Sequence, residues 1–387
     1  MLDTCNPTDR ARFHNDFLAV QRGVSGGLSS SRANATRTAW EIWSTFCQQL
    51  NTDPFLQHLE DPIPTLQLFA QGYRTGTLAP RGTTVGARTV EGALRAVGQT
   101  LAALGHRDPR LTQTGNMDIR LQRLLTSYEK EDPAPQRQKP IPLDVILQAA
   151  SVAITDPSNR AQALSDMLLI AFYFLLRPGE YAHSSNVDAA PFRVKHVHFI
   201  TPTRRLHYAS ATANDWAQVN KVALEFDRQK NGVRGELVGL APSGHERWCP
   251  VKTLIRRVQA LHHQGADQNT PLYAYRNAHQ QWAAVTPSDL TEHLRAAAIA
   301  LNHVDASQSH QLSARSLRSS GAMALLCAGV DPTLIQLFGR WKSTEMLRYL
   351  HVQSVPVAAA FAPAMLNHGN FSMIPQNPTT PQNPNEG

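Results

Sequence analysis

The sequence predicts a mainly α-helical chain with a small antiparallel β-sheet in its C-terminal domain. Three observations carry this expectation. Apolar residues recur at helical spacing through residues 34–130. The stretch EDPAPQRQKPIP, residues 131–142, then puts four prolines where a helix would have to continue. Beyond it, VKHVHFI and VALEF alternate apolar with polar residues, and DRQKNGVRG supplies turn chemistry before ELVGL. A chain of 387 residues suits two domains better than one.

The expected organisation follows. Residues 1–33 form a flexible tail ending in GVSGGLSSSR. Residues 34–130 form a helical domain. Its first helix, TRTAWEIWSTFCQQL, repeats Trp43, Phe46, Cys47 and Leu50 on one face. PTLQLFAQGYRTG is the second. ARTVEGALRAVGQTLAALG, the third, aligns Val90, Leu94, Val97, Leu101 and Leu104, with Gly105 to cap it. NMDIRLQRLLTSYEK is the fourth. Residues 131–142 are a linker, 143–366 a second domain, and 367–387, which include NPTTPQNPNEG, a disordered tail. The second domain opens with ALSDMLLIAFYFLLRPGEY, apolar nearly all round and so deeply buried. After the strands, the chain from about 250 to 366 is again mostly helical.

Bulk chemistry excludes several classes. Apolar residues make up 42% and charged residues 17%, which fits a globular chain. No apolar run is long enough to span a bilayer, so no membrane partner is expected. The N-terminus MLDTCNPTDRARF has no signal-peptide core, and Cys5, Cys47, Cys249 and Cys327 lack metal-like spacing. Both features point to an intracellular protein, nuclear if the host is a eukaryote. No carboxylate pair suggests a two-metal nuclease. His196 and His198 share a strand face, but no third metal ligand accompanies them. The net charge of +7 favours a polyanionic partner. Between Arg81 and Lys130 there are eight Arg or Lys against four Asp or Glu; a solvated bundle and a bundle lying on DNA both fit.

The C-terminal third carries chemistry. In GRWKSTEMLRYLH, Tyr349 follows Trp341 by eight residues and stands among Arg340, Lys342, Arg348 and His351. A hydroxyl attacking a phosphodiester needs cations around the non-bridging oxygens. Arginine meets that need, because its planar fork binds phosphate bidentately and stays charged. Arg177 in LLRPGEY and Arg315 and Arg318 in SARSLRSSG are candidates, the last two sharing a helix face. Lys230, in the turn DRQKNGVRG, could protonate a leaving alkoxide. Each alone has a plainer reading: an exposed turn lysine, a solvated arginine face, a core aromatic.

In order and spacing these pieces resemble the tyrosine recombinases, the phage-integrase family, from about Ala35 to Gln353. LLRPGEY is similar to the family's R-x-G-E box, RSLR stands at its H-x-x-R box, and AGVDPTLIQLFGRW followed by LRYLH is similar to its closing segment. The wording is nearest to recombinases of eukaryotic mobile elements. The resemblance implies a helical core-binding domain followed by a tyrosine-recombinase catalytic domain. It implies that Arg177 and Arg318 clamp a scissile phosphate, that Lys230 is the general acid, that the Trp341 indole donates to phosphate, and that Tyr349 attacks to give a 3′-phosphotyrosyl link. Glu180 would support the site. The partner would be double-stranded DNA held by a homo-tetramer on two sites, with no cofactor. Arg88, Arg95, Arg340 and Lys342 are expected DNA contacts. Residues 352–366 would pack either on a neighbouring subunit or on their own.

One position departs from the family pattern. Arg315 stands where the family has histidine, and arginine cannot accept a proton. The base role would pass to water, His310 or His351, or activity would be reduced or lost. Two alternatives therefore accompany the recombinase reading: a catalytically lapsed DNA-binding descendant, and a type IB topoisomerase-like enzyme.

Overall fold

The computed structural model describes residues 27–133, 140–185, 189–227 and 235–342, together with Arg12, Asn15, Asp16, Ala19, Val20 and Gly23. The chain divides into two compact units. One comprises residues 1–137 with 186–188; the other comprises 138–185 and 189–387.

In the first unit, α1 (Ser30–Gln49), α2 (Ile63–Thr75), α3 (Ala87–Ala103) and α4 (Ile119–Glu131) enclose one core. α3 is central and packs against the other three. Its apolar stripe buries Val90, Leu94, Val97 and Leu101. Arg88 and Arg95 face outward, and Arg95 is paired with Glu91 one turn earlier. Leu50 and Leu104, expected in the apolar stripes, are 43% and 55% exposed. Both lie one residue past the helix end, where the 3.6-residue period no longer decides direction. Gly105 follows with φ +87°, and its N–H and that of His106 close the last turn on Ala102 and Leu101. Asp132, just beyond α4, receives hydrogen bonds from Arg74 of α2 and from the Ala87 N–H of α3.

The second unit surrounds α7 (Asn159–Tyr173), buried on almost every side as its composition demands. α5 (Leu143–Ala150), α6 (Val152–Thr155), α10 (Pro250–His263), α11 (Pro287–Ala300) and α12 (Ser316–Cys327) all pack on it. The short helix α8 (Pro178–Tyr181) follows it along the chain, α9 (Ala213–Ala217) lies between strands, and α13 (Pro332–Phe338) closes the described residues. A four-stranded antiparallel sheet has the order β2 (Arg205–Leu206), β1 (Val197–Ile200), β3 (Lys221–Phe226), β4 (Glu236–Leu240). The sequence reading expected a mostly helical chain after residue 250 and named no strand there; β5 (Ala274–Arg276) and β6 (Trp282–Ala284) form a hairpin before α11.

α7 does not run to Arg177. It stops at Tyr173 in a Schellman turn: the N–H of Leu175 donates to Phe172 O and that of Leu176 to Ala171 O. Leu175 holds the left-handed position, φ +50°, usually given to glycine. α13 ends the same way, with Arg340 at φ +59°, its N–H donating to Leu337 O and that of Trp341 to Gln336 O. The glycine of GRW is not at the left-handed position. Gly339 has helical φ −77°, and a Cβ there would run into the Trp341 ring.

Candidate active site

Three chain segments meet where these two helix ends face each other. The first is the turn Phe174–Arg177 with α8. Arg177 caps α8; its N–H donates to Glu180 Oε2 at 2.8 Å and its Nη1 to Glu180 Oε1 at 3.0 Å. The guanidinium is held from one side, and the side chain stays 30% exposed. Tyr181, fully buried, donates to the carbonyl of Ala314 at 2.7 Å and so ties this segment to the start of the second one.

The second segment is α12. Small residues (Ser319, Ser320, Gly321, Ala322) let it lie close to α7. Arg318 is buried in this contact. Its Nη1 donates to Leu175 O at 2.6 Å, its Nη2 donates to Gly339 O, and its guanidinium lies 4.2 Å from the Trp341 ring centroid. Arg315 does not share that environment. It is the N-cap of α12, where the helical face has not yet begun, and it is exposed, with no hydrogen bond or ion pair among the described residues.

The third segment is Gly339–Lys342. Trp341 stacks on Arg318 and accepts on its own carbonyl from Gln336 Nε2 at 3.2 Å. Lys342 is exposed. Arg340, expected as a DNA contact, is interior: its side chain is 1% exposed. Its guanidinium donates to the carbonyls of Phe174 and Leu175, each at 3.2 Å, lies 3.5 Å from Glu180 Oε2, and sits 3.8 Å over the Phe226 ring. Burial, with Arg177 nearby, pulls its pKa down to about 10, against the opposing pull of Glu180. Sequence reasoning had no signal for that burial, nor for the carbonyls of Phe174, Leu175 and Gly339 that hold the arginines.

The structure therefore brings Arg177, Glu180, Arg318, Arg340 and Trp341 into one cluster. Lys230 and Tyr349 lie outside the described residues, as do Arg348, His351 and 352–366. Lys230 belongs to the connection between β3 and β4, whose last pair is Phe226 with Glu236. His310 is exposed, and its ring nitrogen bonds the Ser307 carbonyl at 2.7 Å rather than any of these side chains. His196 ends a 3-10 turn and His198 lies buried on β1 beside Glu225, so they do not form a pair on one strand face. Among the described residues no group of three His, Cys, Asp or Glu side chains could hold a metal, and no helix is long and apolar enough to cross a membrane. Chemically, the cluster offers one partly open guanidinium, Arg177, next to two buried ones, Arg318 and Arg340, that are already fixed in orientation.

No family model and no curated protein matches the chain. Solved structures are. The crystal structure of XerA recombinase aligns with 91% of this chain and 97% of its own, at 13% identity and a TM-score of 0.36. The Tn1549 transposon integrase in complex with circular intermediate DNA aligns with 84% of this chain and 99% of its own, at 11% identity and a TM-score of 0.44. The integrase from mycobacterium phage Brujita aligns with 89% of each, at 16% identity and a TM-score of 0.28. These structural neighbours are recombinases and integrases.

Proposed function

We propose that this chain is a site-specific DNA recombinase or integrase that cuts and rejoins DNA through a phosphotyrosyl intermediate. The observation that carries the reading is the meeting of Arg177 and Arg318. They come from distant segments and are fixed by the same turn, Arg177 within it and Arg318 on its Leu175 carbonyl. A guanidinium that is already oriented neutralises the non-bridging phosphate oxygens without reorganising as charge builds up.

The reaction assigns each group a role. The Tyr349 hydroxyl attacks phosphorus; the new bond is phenolic oxygen to phosphorus, and the bond to the 5′ oxygen breaks. Lys230 gives its proton to that leaving oxygen. The phenolic proton passes to water or a nearby histidine, since Arg315 cannot take it. Exposed and without a partner among the described residues, Arg315 can still bind phosphate. A 5′ hydroxyl from another strand reverses the attack, and the ester bond energy is conserved throughout. Two DNA sites and four subunits complete the cycle.

Arg315 also favours a second reading, a recombinase descendant that binds DNA without strand transfer. One experiment separates the two. A duplex selected from a random pool by binding to the full chain is nicked next to its binding centre, so that cleavage traps the protein. The recombinase reading expects a covalent adduct that Tyr349→Phe abolishes while DNA binding persists. Binding with no adduct from the natural chain favours the second reading. Sequence-independent relaxation of supercoiled plasmid would indicate a topoisomerase-like activity.

A further inference from the structure

Arg340 occupies a place that its chemistry makes costly. A side chain 1% exposed carries a full charge, and its backbone has φ +59°. A non-glycine residue in that region is disfavoured, because its Cβ crowds the following carbonyl oxygen. Buried ion pairs are often replaceable by packed hydrophobes at no loss of stability. Stability alone therefore does not explain an arginine here.

Its contacts do. Each reaches a different part of the cluster. The carbonyls of Phe174 and Leu175 belong to the turn that leads into Arg177. The Leu175 carbonyl also accepts from Arg318, so one oxygen is shared by both guanidiniums. Glu180 Oε2 likewise binds the Arg177 N–H while lying 3.5 Å from Arg340. Phe226, under the guanidinium, is the last residue of β3, four before Lys230. Arg340 itself stands nine residues before Tyr349.

We infer that Arg340 is a positioning residue: it locks the Phe174–Arg177 turn, Glu180 and the end of β3 into one arrangement, and does not itself touch DNA. The inference rests on the strand-transfer reading for its consequence in catalysis, though not for the locking itself. With the lock in place, the phosphate-binding guanidiniums and the strand leading to the general acid are set before substrate arrives. Misplacement by about 1 Å is enough to cost roughly a hundredfold in rate.

The test uses the full chain with Arg340→Met, which fills similar volume without charge, and Arg340→Lys, which keeps the charge but not the fork. The selected duplex is bound at several salt concentrations, adduct formation is timed in a single turnover, melting is recorded, and hydrogen exchange is followed in residues 174–181 and 221–226. The expected result for Arg340→Met has four parts: affinity within about threefold, an unchanged salt slope, a chain that melts earlier but is still fully folded at the assay temperature, and adduct formation slower by roughly a hundredfold. Exchange in both segments should quicken. Arg340→Lys should recover little of the rate, because its single nitrogen lacks the planar fork by which Nη1 and Nη2 reach separate acceptors. A salt slope lower by about one would mean that Arg340 contacts phosphate, and would overturn the proposal. So would a rate loss that disappears at temperatures where the variant is fully folded, or an unchanged rate. Should the natural chain form no adduct, the recombinase reading fails. Faster exchange confined to residues 174–181 and 221–226 would then still support the lock, and unchanged exchange there would refute it.

Discussion

Glu180 holds two cations through two oxygens. Oε1 accepts from the Arg177 guanidinium at 3.0 Å; Oε2 accepts from the Arg177 N–H at 2.8 Å and faces Arg340 at 3.5 Å. Its side chain is 11% exposed, so water cannot replace what a substitution removes. Glu180→Gln keeps the shape and removes the charge, leaving Arg340 buried without its counter-ion. Breaking a buried pair from one side costs about 3–5 kcal/mol. The expected loss, read from urea midpoints, is about 3 kcal/mol. In an Arg340→Met background it should shrink to 1 kcal/mol or less, about what the surviving Arg177 contacts sustain. Equal losses in both backgrounds would show that Glu180 and Arg340 are not coupled. At this scale the sequence reveals residue types and order, because Arg177, Arg318 and Trp341 stand at motif spacings. It hides environment. Arg315 and Arg318, three residues apart, look like one face, yet the helix begins at Ser316 and leaves one exposed and one buried. Arg340 reads as a surface cation in a basic run, and only the left-handed turn after α13 sends it inward.

The contact of α12 with α7 decides whether that cluster assembles. At its closest point stands Gly321, where a Cβ would meet the Leu175 side chain and the Phe172 carbonyl. The carbonyl is backbone at a helix end and cannot swing away. Gly321→Ala is therefore overpacked and should lower stability by about 1–3 kcal/mol. It should also move Leu175, whose carbonyl orients Arg318 and Arg340, so adduct formation should fall further than DNA affinity does. A variant that melts and reacts like the natural chain would show that α12 has room to shift. Helices with a strict apolar period were legible in the sequence, as Val90, Leu94, Val97 and Leu101 illustrate in α3. Their ends were less so. The apolar run through Leu176 hides the break at Leu175, because the residue that turns left-handed is a leucine and not a glycine. The β5–β6 hairpin escaped notice because its strands are three residues each, too short to display alternation.

Across the whole molecule, each unit has a core of its own. In the first, Trp43 is fully buried, donates to the Pro54 carbonyl at 2.9 Å, and meets Phe69 edge to face at 5.1 Å. Such a core should fold without the second unit. Residues 27–133 alone should unfold in urea in one cooperative step, with the fluorescence of the buried tryptophan moving to the red as it does. Where the first unit ends matters. The proline-rich composition of 131–142 marks a linker in sequence, yet Asp132 accepts from Arg74 and from the Ala87 N–H, fastening the end of α4 to α2 and α3. Nothing local in the sequence points to those partners, since they lie 58 and 45 residues away. A fragment ending at residue 130 should therefore be less stable than one ending at 133. The same carboxylate predicts a pH signature. The hydrogen bond from Arg74, with that from Ala87, holds its pKa below the ordinary aspartate value of 3.8. A carboxyl whose folded pKa is depressed stabilises the fold above its unfolded value and loses that contribution as pH falls through the folded one. The 27–133 fragment should thus lose stability below about pH 4. Asp132→Asn should be weaker at neutral pH and show a shallower loss across that acid window. Parallel acid curves for the two, measured by urea midpoint at each pH, would show that Asp132 does not join these helices.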